Sequence, residues 1–278
     1  MRVTFLGVRG STPAPGEAFV RYGGHTSCVA IAHDGAVPSL LLDAGTGIRR
    51  TSSLMNGEPF RGSILLTHLH WDHVHGLPFC DATDRVDSRV TLFVPDQLDG
   101  SVPLEVLSRG MSPPHFPVRA DELRGDWSFE SLSASSLEVD GFSVLVEEIP
   151  HKGGRTYGFR ISDRTGSVVY MPDHCPSALG DGPDDLGEYH ETAMSLCQDA
   201  DVLIHDAQLR REELAAEAYF GHAAVEYAVE LARRANVKRV VPFHHKQSRT
   251  DDELDDMARR FEGYPQVTFA TQQTVIQL

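Results

Sequence analysis

The strongest constraint on this chain is a short polar segment that follows an apolar run. His68, His70, Asp72 and His73 lie within six residues, directly after the run at 64–66, Ile-Leu-Leu. A buried strand ending there delivers them onto a loop at a sheet edge. Neutral imidazole and carboxylate are preferred ligands of zinc, manganese and iron. The alternative is a solvated polar turn, but four such side chains this close together after a buried strand rarely lack a metal.

The spacing within this segment suits two ions rather than one. His68 and His70 are two positions apart and can converge on one ion, whereas the adjacent Asp72 and His73 can turn towards a second. One cluster cannot complete a two-metal site, so further ligands should follow other strands. Four candidates do so: His151 after the run at 144–150, Asp173 after 168–172, and His244 and His245 after 240–243. Each is weak evidence alone, but together with the first cluster they argue against coincidence.

Short apolar runs alternate with helical patterns along the whole chain, which predicts a mixed α/β fold. We find no internal repeat and nothing that resembles a long linker, so we expect one domain over residues 1–278. The segment Met111–Pro117 is too rich in proline for a helix. Helices are predicted at 225–232 and 251–261, and strands at 3–6, 29–32, 40–42, 64–66, 90–94, 144–149, 168–171, 202–204, 240–241, 267–270 and 275–278.

Charge and cysteine usage narrow the classes of function. The net charge of −15 disfavours a broad nucleic-acid footprint, which needs clustered Lys and Arg, but allows a small phosphorylated substrate. Four scattered cysteines without a CxxC pair do not suggest a disulfide scaffold. No apolar stretch is long enough to cross a bilayer, and the first residues lack the features of a signal peptide. We therefore expect a cytoplasmic protein without membrane contact; the oligomeric state stays open, with a homodimer allowed.

Five motifs together resemble the metallo-β-lactamase fold superfamily, in the branch similar to ribonuclease Z and related phosphodiesterases. The segment 67–73 fits the HxHxDH signature, and Leu-Asp-Ala-Gly at 42–45 resembles the Asp-x-Gly element. Gly-Gly-His-Thr-Ser at 23–27 resembles a Gly-x-Asn-Thr-Ser segment, although His25 replaces the usual Asn. His-Asp-Ala-Gln at 205–208 resembles a His-Glu-Ala-Thr element, and Gly-His-Ala at 221–223 resembles Gly-His-Ser-Thr. The similarity covers nearly the whole chain.

The resemblance implies an αββα four-layer sandwich that holds two divalent ions, with Zn²⁺ expected and Mn²⁺ or Fe as alternatives. It implies that one ion is bound by His68, His70 and His151, the other by Asp72, His73 and His244, and that Asp173 bridges them. His244 is preferred to His245 because it lies 39 positions after His205 and 22 after His222, as in ribonuclease Z.

The resemblance also implies a mechanism, in which a hydroxide between the two ions attacks the substrate. Asp72 both coordinates and accepts the proton of the water, and His222 protonates the leaving group; the alternative for His222 is an ordinary residue at the start of a helix. His205 is expected to orient the site by hydrogen bonding. Asp43 either supports the site or only forms the turn before Gly45.

The substrate is expected to be small. Only 22 positions separate His151 from Asp173, enough for two strands and a turn, whereas bacterial ribonuclease Z carries in this interval a long arm that grips transfer RNA. A small nucleotide, cyclic nucleotide or other phosphodiester is therefore the preferred substrate. Two alternatives are a hydrolase of esters, lactones, thioesters or β-lactams on the same site, and a non-enzymatic sensor or binding module.

Some residues near the predicted centre keep two interpretations. The cations Lys152, Arg155, Lys246 and Arg249 either bind a substrate anion or are solvated loop residues. The segment Met111–Pro117, with His115 and Phe116, either forms a wall over the site or is a structural turn.

Overall fold

The computed structural model of the protein describes residues 1–264 and 266–278, and within these residues it contains thirteen β-strands and six α-helices. The strands are β1 (Arg2–Gly7), β2 (Cys28–Ala32), β3 (Leu40–Leu42), β4 (Arg61–Leu65), β5 (Arg89–Pro95), β6 (Asp126–Leu132), β7 (Ser135–Val139), β8 (Phe142–Glu148), β9 (Tyr157–Asp163), β10 (Gly166–Met171), β11 (Val202–Asp206), β12 (Arg239–Phe243) and β13 (Val275–Gln277). The helices are α1 (Trp71–Val74), α2 (Pro103–Ser108), α3 (Glu191–Cys197), α4 (Leu214–Glu217), α5 (Val225–Arg234) and α6 (Asp251–Arg259).

The strands form two sheets that face each other. The first sheet has the order β13-β1-β2-β3-β4-β5-β6 and the second the order β12-β11-β10-β9-β8-β7. β3 to β6 run parallel in the first sheet, and β10 to β12 run parallel in the second. One apolar core fills the space between the sheets, because Phe5 and Leu42 of the first pack with Phe142, Phe159 and Ile204 of the second.

Helical layers cover the outer faces of both sheets. On the first sheet, Ile64 packs with Ile48 of the 3₁₀ segment Thr46–Leu54 and with Leu107 of α2. On the second, Leu203 packs with Leu196 of α3 and Leu231 of α5. The order of layers is therefore helix, sheet, sheet, helix, which confirms the predicted αββα sandwich.

Most predicted elements are present, and a few differ. The helices predicted at 225–232 and 251–261 are α5 and α6, and the interval 151–173 holds two strands, β9 and β10. The prediction of a strand at 267–270 is wrong. The backbone of this segment forms hydrogen bonds with the edge of β12 at alternate residues. It makes one isolated bridge, between Val267 and Val240, and not a continuous ladder. Along the described chain, no helix combines the length and the apolar character required to cross a membrane.

Candidate metal centre

The structure brings all seven predicted ligands together at one edge of the two sheets. His68 and His70 lie on the loop after β4, and Asp72 and His73 lie in the short helix α1 that follows it. The second sheet supplies the other three from its own strand ends: His151 after β8, Asp173 after β10 and His244 after β12. Since β8, β10 and β12 run in the same direction, the loops after them meet on the same side.

The first group of ligand atoms surrounds one point. His151 Nε2 lies 3.3 Å from His70 Nδ1 and 3.4 Å from Asp173 Oδ2. His68 Nε2 lies 3.5 Å from the same carboxylate oxygen. All four side chains place one donor atom within 4.8 Å of the others, a spacing that one ion can fill.

The second group of ligand atoms, from Asp72, His73, His244 and Asp173, is more closely spaced than the first. His73 Nε2 and His244 Nε2 are 3.3 Å apart, and each faces Asp72 Oδ2, at 3.3 Å and 3.0 Å. Asp173 turns its other oxygen, Oδ1, towards the same two nitrogens, at 3.2 Å and 3.0 Å. One carboxylate therefore faces both groups with different oxygens, which is the geometry of a bridging ligand.

The donors in this centre fit divalent ions better than they fit one another. Within the described residues, His68 Nε2 is buried without a hydrogen-bond partner, and Asp173 Oδ1 lies close to the nitrogens of His73 and His244 without a well-oriented hydrogen bond. Buried polar atoms are nearly always paired, so such atoms indicate a missing ligand. Two pairs of imidazole nitrogens also face each other at 3.3 Å, and their lone pairs converge favourably on a cation.

Burial keeps the histidines of the first group neutral, as metal binding requires. It lowers the pKa of His70 to about 4, and the pKa values of His68 and His151 are also below the ordinary value, again chiefly because of burial. These imidazoles therefore offer free lone pairs at neutral pH.

The charged side chains of the centre belong to the second group of ligands, which contains Asp72 and His73. Burial alone would raise the pKa of Asp72, but His73 and His244 outweigh it and hold that pKa below its usual range. Burial would likewise lower the pKa of His73, but Asp173, Asp72 and Asp43 raise it well above the ordinary value. A metal ion that binds His73 must therefore displace a proton from it.

Asp43 fixes the orientation of His73 from behind. Its fully buried carboxylate lies 2.7 Å from His73 Nδ1 and accepts hydrogen bonds from Thr67 N at 2.8 Å and Tyr170 Oη at 2.9 Å. The Nε2 atom of His73 is thereby directed at the centre. Asp43 also has a left-handed φ of 59°, so it both supports the site and forms the turn before Gly45.

Two further residues, Ser11 and Gln208, contact ligands of the second group. The backbone N–H of Ser11 donates to Asp72 Oδ2 at 2.6 Å, and Gln208 Nε2 lies 3.2 Å from His244 Nδ1. Ser11 carries no recognisable signal in the sequence. Gln208 lies in the 205–208 element, whose resemblance to a known motif was the available signal.

The paired histidines point in opposite directions. His244 has a left-handed φ of 57° and faces the centre. His245 donates from Nε2 to the carbonyl of Ala270 at 2.8 Å and packs against Tyr22 and Phe269, outside the centre. The geometry agrees with the choice of His244 over His245.

His222 lies beside the centre on the loop before Val225, where α5 begins. Its Nδ1 is 2.9 Å from Asp206 Oδ2 and 3.9 Å from Asp173 Oδ2. Burial would lower its pKa, but Asp206, with help from Asp173 and Asp72, raises it to about 9. Asp206 thus favours the protonated form of His222, and it is a contact for which the 205–208 motif alone gave no signal.

The other histidines with open roles lie outside the centre. His205 makes its contacts with the carbonyl of Asp206, at 2.7 Å, and with His174 Nδ1, at 2.9 Å. It therefore supports the backbone beside Asp206. His25 Nδ1 lies 3.2 Å from Thr46 Oγ1, and His115 is an exposed residue on the wall of a neighbouring cavity.

A cleft of about 530 Å³ opens over the centre, and one of the four candidate cations lines it. That cation is Lys246, whose Nζ is 2.6 Å from Glu217 Oε1. The others are engaged elsewhere: Arg155 with Asp96, Arg249 with Glu213, and Lys152 with the carbonyl of Tyr219. All four are thus held by contacts within the protein, and Lys246 is the one that also lines the cleft.

The chain is similar in sequence and in structure to known proteins. The family model described as "Beta-lactamase superfamily domain" matches residues 39–245. The chain is 26% identical to ribonuclease Z of Halobacterium salinarum, over 95% of this chain and 93% of that protein. It is similar in structure to the short form of human tRNase Z (TM-score 0.65, 23% identity, 100% and 99% of the two chains). It is also similar to Zn²⁺-bound PqqB from Methylobacterium extorquens (TM-score 0.69, 20% identity, 100% of both chains).

Proposed function

The chain belongs to the β-lactamase superfamily and is a metal-dependent hydrolase, and on that premise we propose that it cleaves phosphodiester bonds. The observation that carries the proposal is Asp173, which presents one oxygen to each of two ligand groups. The ribonuclease Z relatives favour a phosphodiester over a carbon-centred substrate.

We assign His68, His70 and His151 to one ion, Asp72, His73 and His244 to the other, and Asp173 to both. We propose Zn²⁺ first, because imidazole-rich sites suit it and a structural neighbour contains it. Mn²⁺ and Fe remain alternatives, and we treat residues 1–278 as one catalytic domain.

When bound, two such ions lower the pKa of a water towards neutrality and neutralise charge on phosphoryl oxygens. Asp72, whose Oδ2 faces His73 and His244, would hold one of these ions and accept the proton of the water. The backbone N–H of Ser11 holds this carboxylate in place.

The leaving oxygen receives its proton from His222. Asp206 occupies Nδ1, so the proton available for transfer is the one on Nε2. His222 lines the cleft over the centre but is only 6% exposed, so it is shielded from bulk water. A buried, positively charged imidazole also stabilises negative charge as it develops on the leaving group.

We propose a small substrate. The support is a modest cleft of about 530 Å³, the net charge of −15, and an interval between His151 and Asp173 that β9 and β10 fill. The ribonuclease names of the relatives point the other way, towards a larger nucleic acid. We also propose a cytoplasmic location, because all four cysteines are buried and unpaired, as expected in a reducing compartment.

The test is hydrolysis of bis-p-nitrophenyl phosphate by the metal-loaded protein, beside a thioester and a panel of lactones. We expect turnover of the phosphodiester that a chelator abolishes and added metal restores. Turnover of thioesters or lactones without turnover of the phosphodiester would refute the proposal in favour of the carbon-centred alternative.

A further inference from the structure

A second and larger cavity, of about 820 Å³, adjoins the cleft over the centre. Leu69 and Trp71 line both spaces, and these two residues alternate with His70 and Asp72 in the segment that forms the centre. A molecule held at the centre therefore reaches the cavity by passing these two side chains.

The walls of the cavity are predominantly apolar. The lining includes the 3₁₀ segment Leu77–Phe79, Val106 and Leu107 of α2, and Met111 and Phe116 of the loop after α2. The polar side chains that line it are Thr46, Arg49, His75, Gln97, Arg109 and His115. Arg109 is already paired with Asp99, and His75 is stacked against Trp71.

Large apolar side chains are exposed around this cavity, which is unusual for a surface without a ligand. Trp71 is 71% exposed and Phe79 is 53% exposed. Phe79 meets Phe116 edge to face with ring centroids 5.8 Å apart, so the 3₁₀ segment and the loop touch at one side of the cavity. Apolar pockets with a few polar groups are the usual sites for the non-reacting part of a substrate.

We propose that this cavity binds an alkyl chain of the substrate, so that the preferred phosphodiester is amphiphilic. This inference rests on the proposed function for the identity of the reacting group. An alkyl chain fits better than a nucleobase, because apolar side chains form most of the lining, and of the six polar ones Arg109 is already paired with Asp99 and His75 is stacked against Trp71. The volume also exceeds what a single aromatic ring fills.

Binding of alkylphosphonates to the metal-loaded protein tests the proposal without any need for turnover. Each buried methylene strengthens binding by up to about fourfold, so octylphosphonate should bind more than about tenfold tighter than ethylphosphonate. Isothermal titration calorimetry, below the concentration at which the longer ligand aggregates, measures both dissociation constants. Equal affinities overturn the proposal, and so does tighter binding of phenylphosphonate than of octylphosphonate.

A variant that fills the cavity connects the preference to this place. Met111→Trp should reduce the octyl-to-ethyl affinity ratio at least about fivefold, since it removes space for the chain. Val102→Trp is the matched control, because Val102 is 57% exposed just before α2 and does not line the cavity. If Met111→Trp does not fold, Val106→Phe replaces it. A ratio that survives in the folded variant overturns the proposal.

Failure of the proposed function is distinguishable from failure of this inference. If bis-p-nitrophenyl phosphate is not hydrolysed, phosphodiester cleavage is refuted, while the phosphonate titrations still report on the cavity. If it is hydrolysed but the phosphonates bind equally well, only the alkyl site is refuted.

Discussion

Substitution of Asp206 by Asn isolates the part of the mechanism that depends on a protonated His222. The Asp206 carboxylate lies 2.9 Å from His222 Nδ1 and is the main reason why the pKa of His222 is raised to about 9. The amide keeps the size of the side chain but removes the charge. His222 should then lose its proton at lower pH while the ligand set of the centre stays intact.

The structure sets the direction and the size of the effect. An opposite charge at this distance shifts a pKa by about 1 to 3 units. A proton donor is active below its pKa, so the rate falls as pH rises through that value. The alkaline limb of the rate profile should therefore move by about 1 to 3 pH units towards acid, from a starting point raised above the ordinary value of about 6.5.

The assay needs a leaving group that requires a proton. A cyclic nucleotide releases a sugar hydroxyl, whereas p-nitrophenolate is a stable anion that leaves without one. We expect the limb to move for the cyclic nucleotide and much less for bis-p-nitrophenyl phosphate. Asp201→Asn is the control, since Asp201 lies just before β11, at the opposite end of the strand from Asp206, and pairs with Lys238. An unmoved limb in a folded variant with normal metal content would falsify the role of the Asp206–His222 pair.

Three other predictions concern the metal centre and are checked by metal analysis with mass spectrometry and by thermal unfolding. Asp173→Ala should lose two-metal occupancy and activity while the fold is retained, so undiminished occupancy refutes the bridging assignment. His244→Ala should lower the metal content, whereas His245→Ala should leave it unchanged. His245→Ala should instead lower the free energy of unfolding by at least about 1 kcal/mol, because it leaves the buried carbonyl of Ala270 unpaired. The reverse pattern contradicts the choice of His244. Asp43→Asn should weaken metal affinity about 10- to 100-fold through the altered orientation of His73, and unchanged affinity contradicts that support.

The candidate ligands could be predicted from the sequence because each follows a buried strand and is itself a metal-binding residue type. The residues that position these ligands and His222 could not be predicted in this way. Ser11 acts through its backbone N–H, which any residue carries, and its contact with Asp72 exists only in the folded chain. Asp206 lies beside His205 in the sequence, but its distance from His222 depends on the loop before α5. Such contacts follow from tertiary packing rather than from local pattern.

The fold was predicted best where strands are buried on both faces. β11 and β12 are apolar runs, whereas β6 and β7 lie at sheet edges and are rich in polar, exposed residues, so the sequence did not predict them. The error at 267–270 has a related cause. Phe269 and Ala270 are buried beside β12 and α6 and therefore read as a strand, although the segment pairs only irregularly.

The division of the candidate ligands between the two sheets gives the centre a role in holding the fold together. His68 to His73 follow a strand of the first sheet, and His151, Asp173 and His244 follow strands of the second. The unfolded chain keeps the short signature but cannot bring these two sets within reach of one ion, so metal binds the native state selectively. At a free metal concentration 100-fold above the dissociation constant, such binding stabilises the native state by about 2.7 kcal/mol. Bound ions then act as removable crosslinks between the sheets, and the melting temperature becomes a measure of the metal supply.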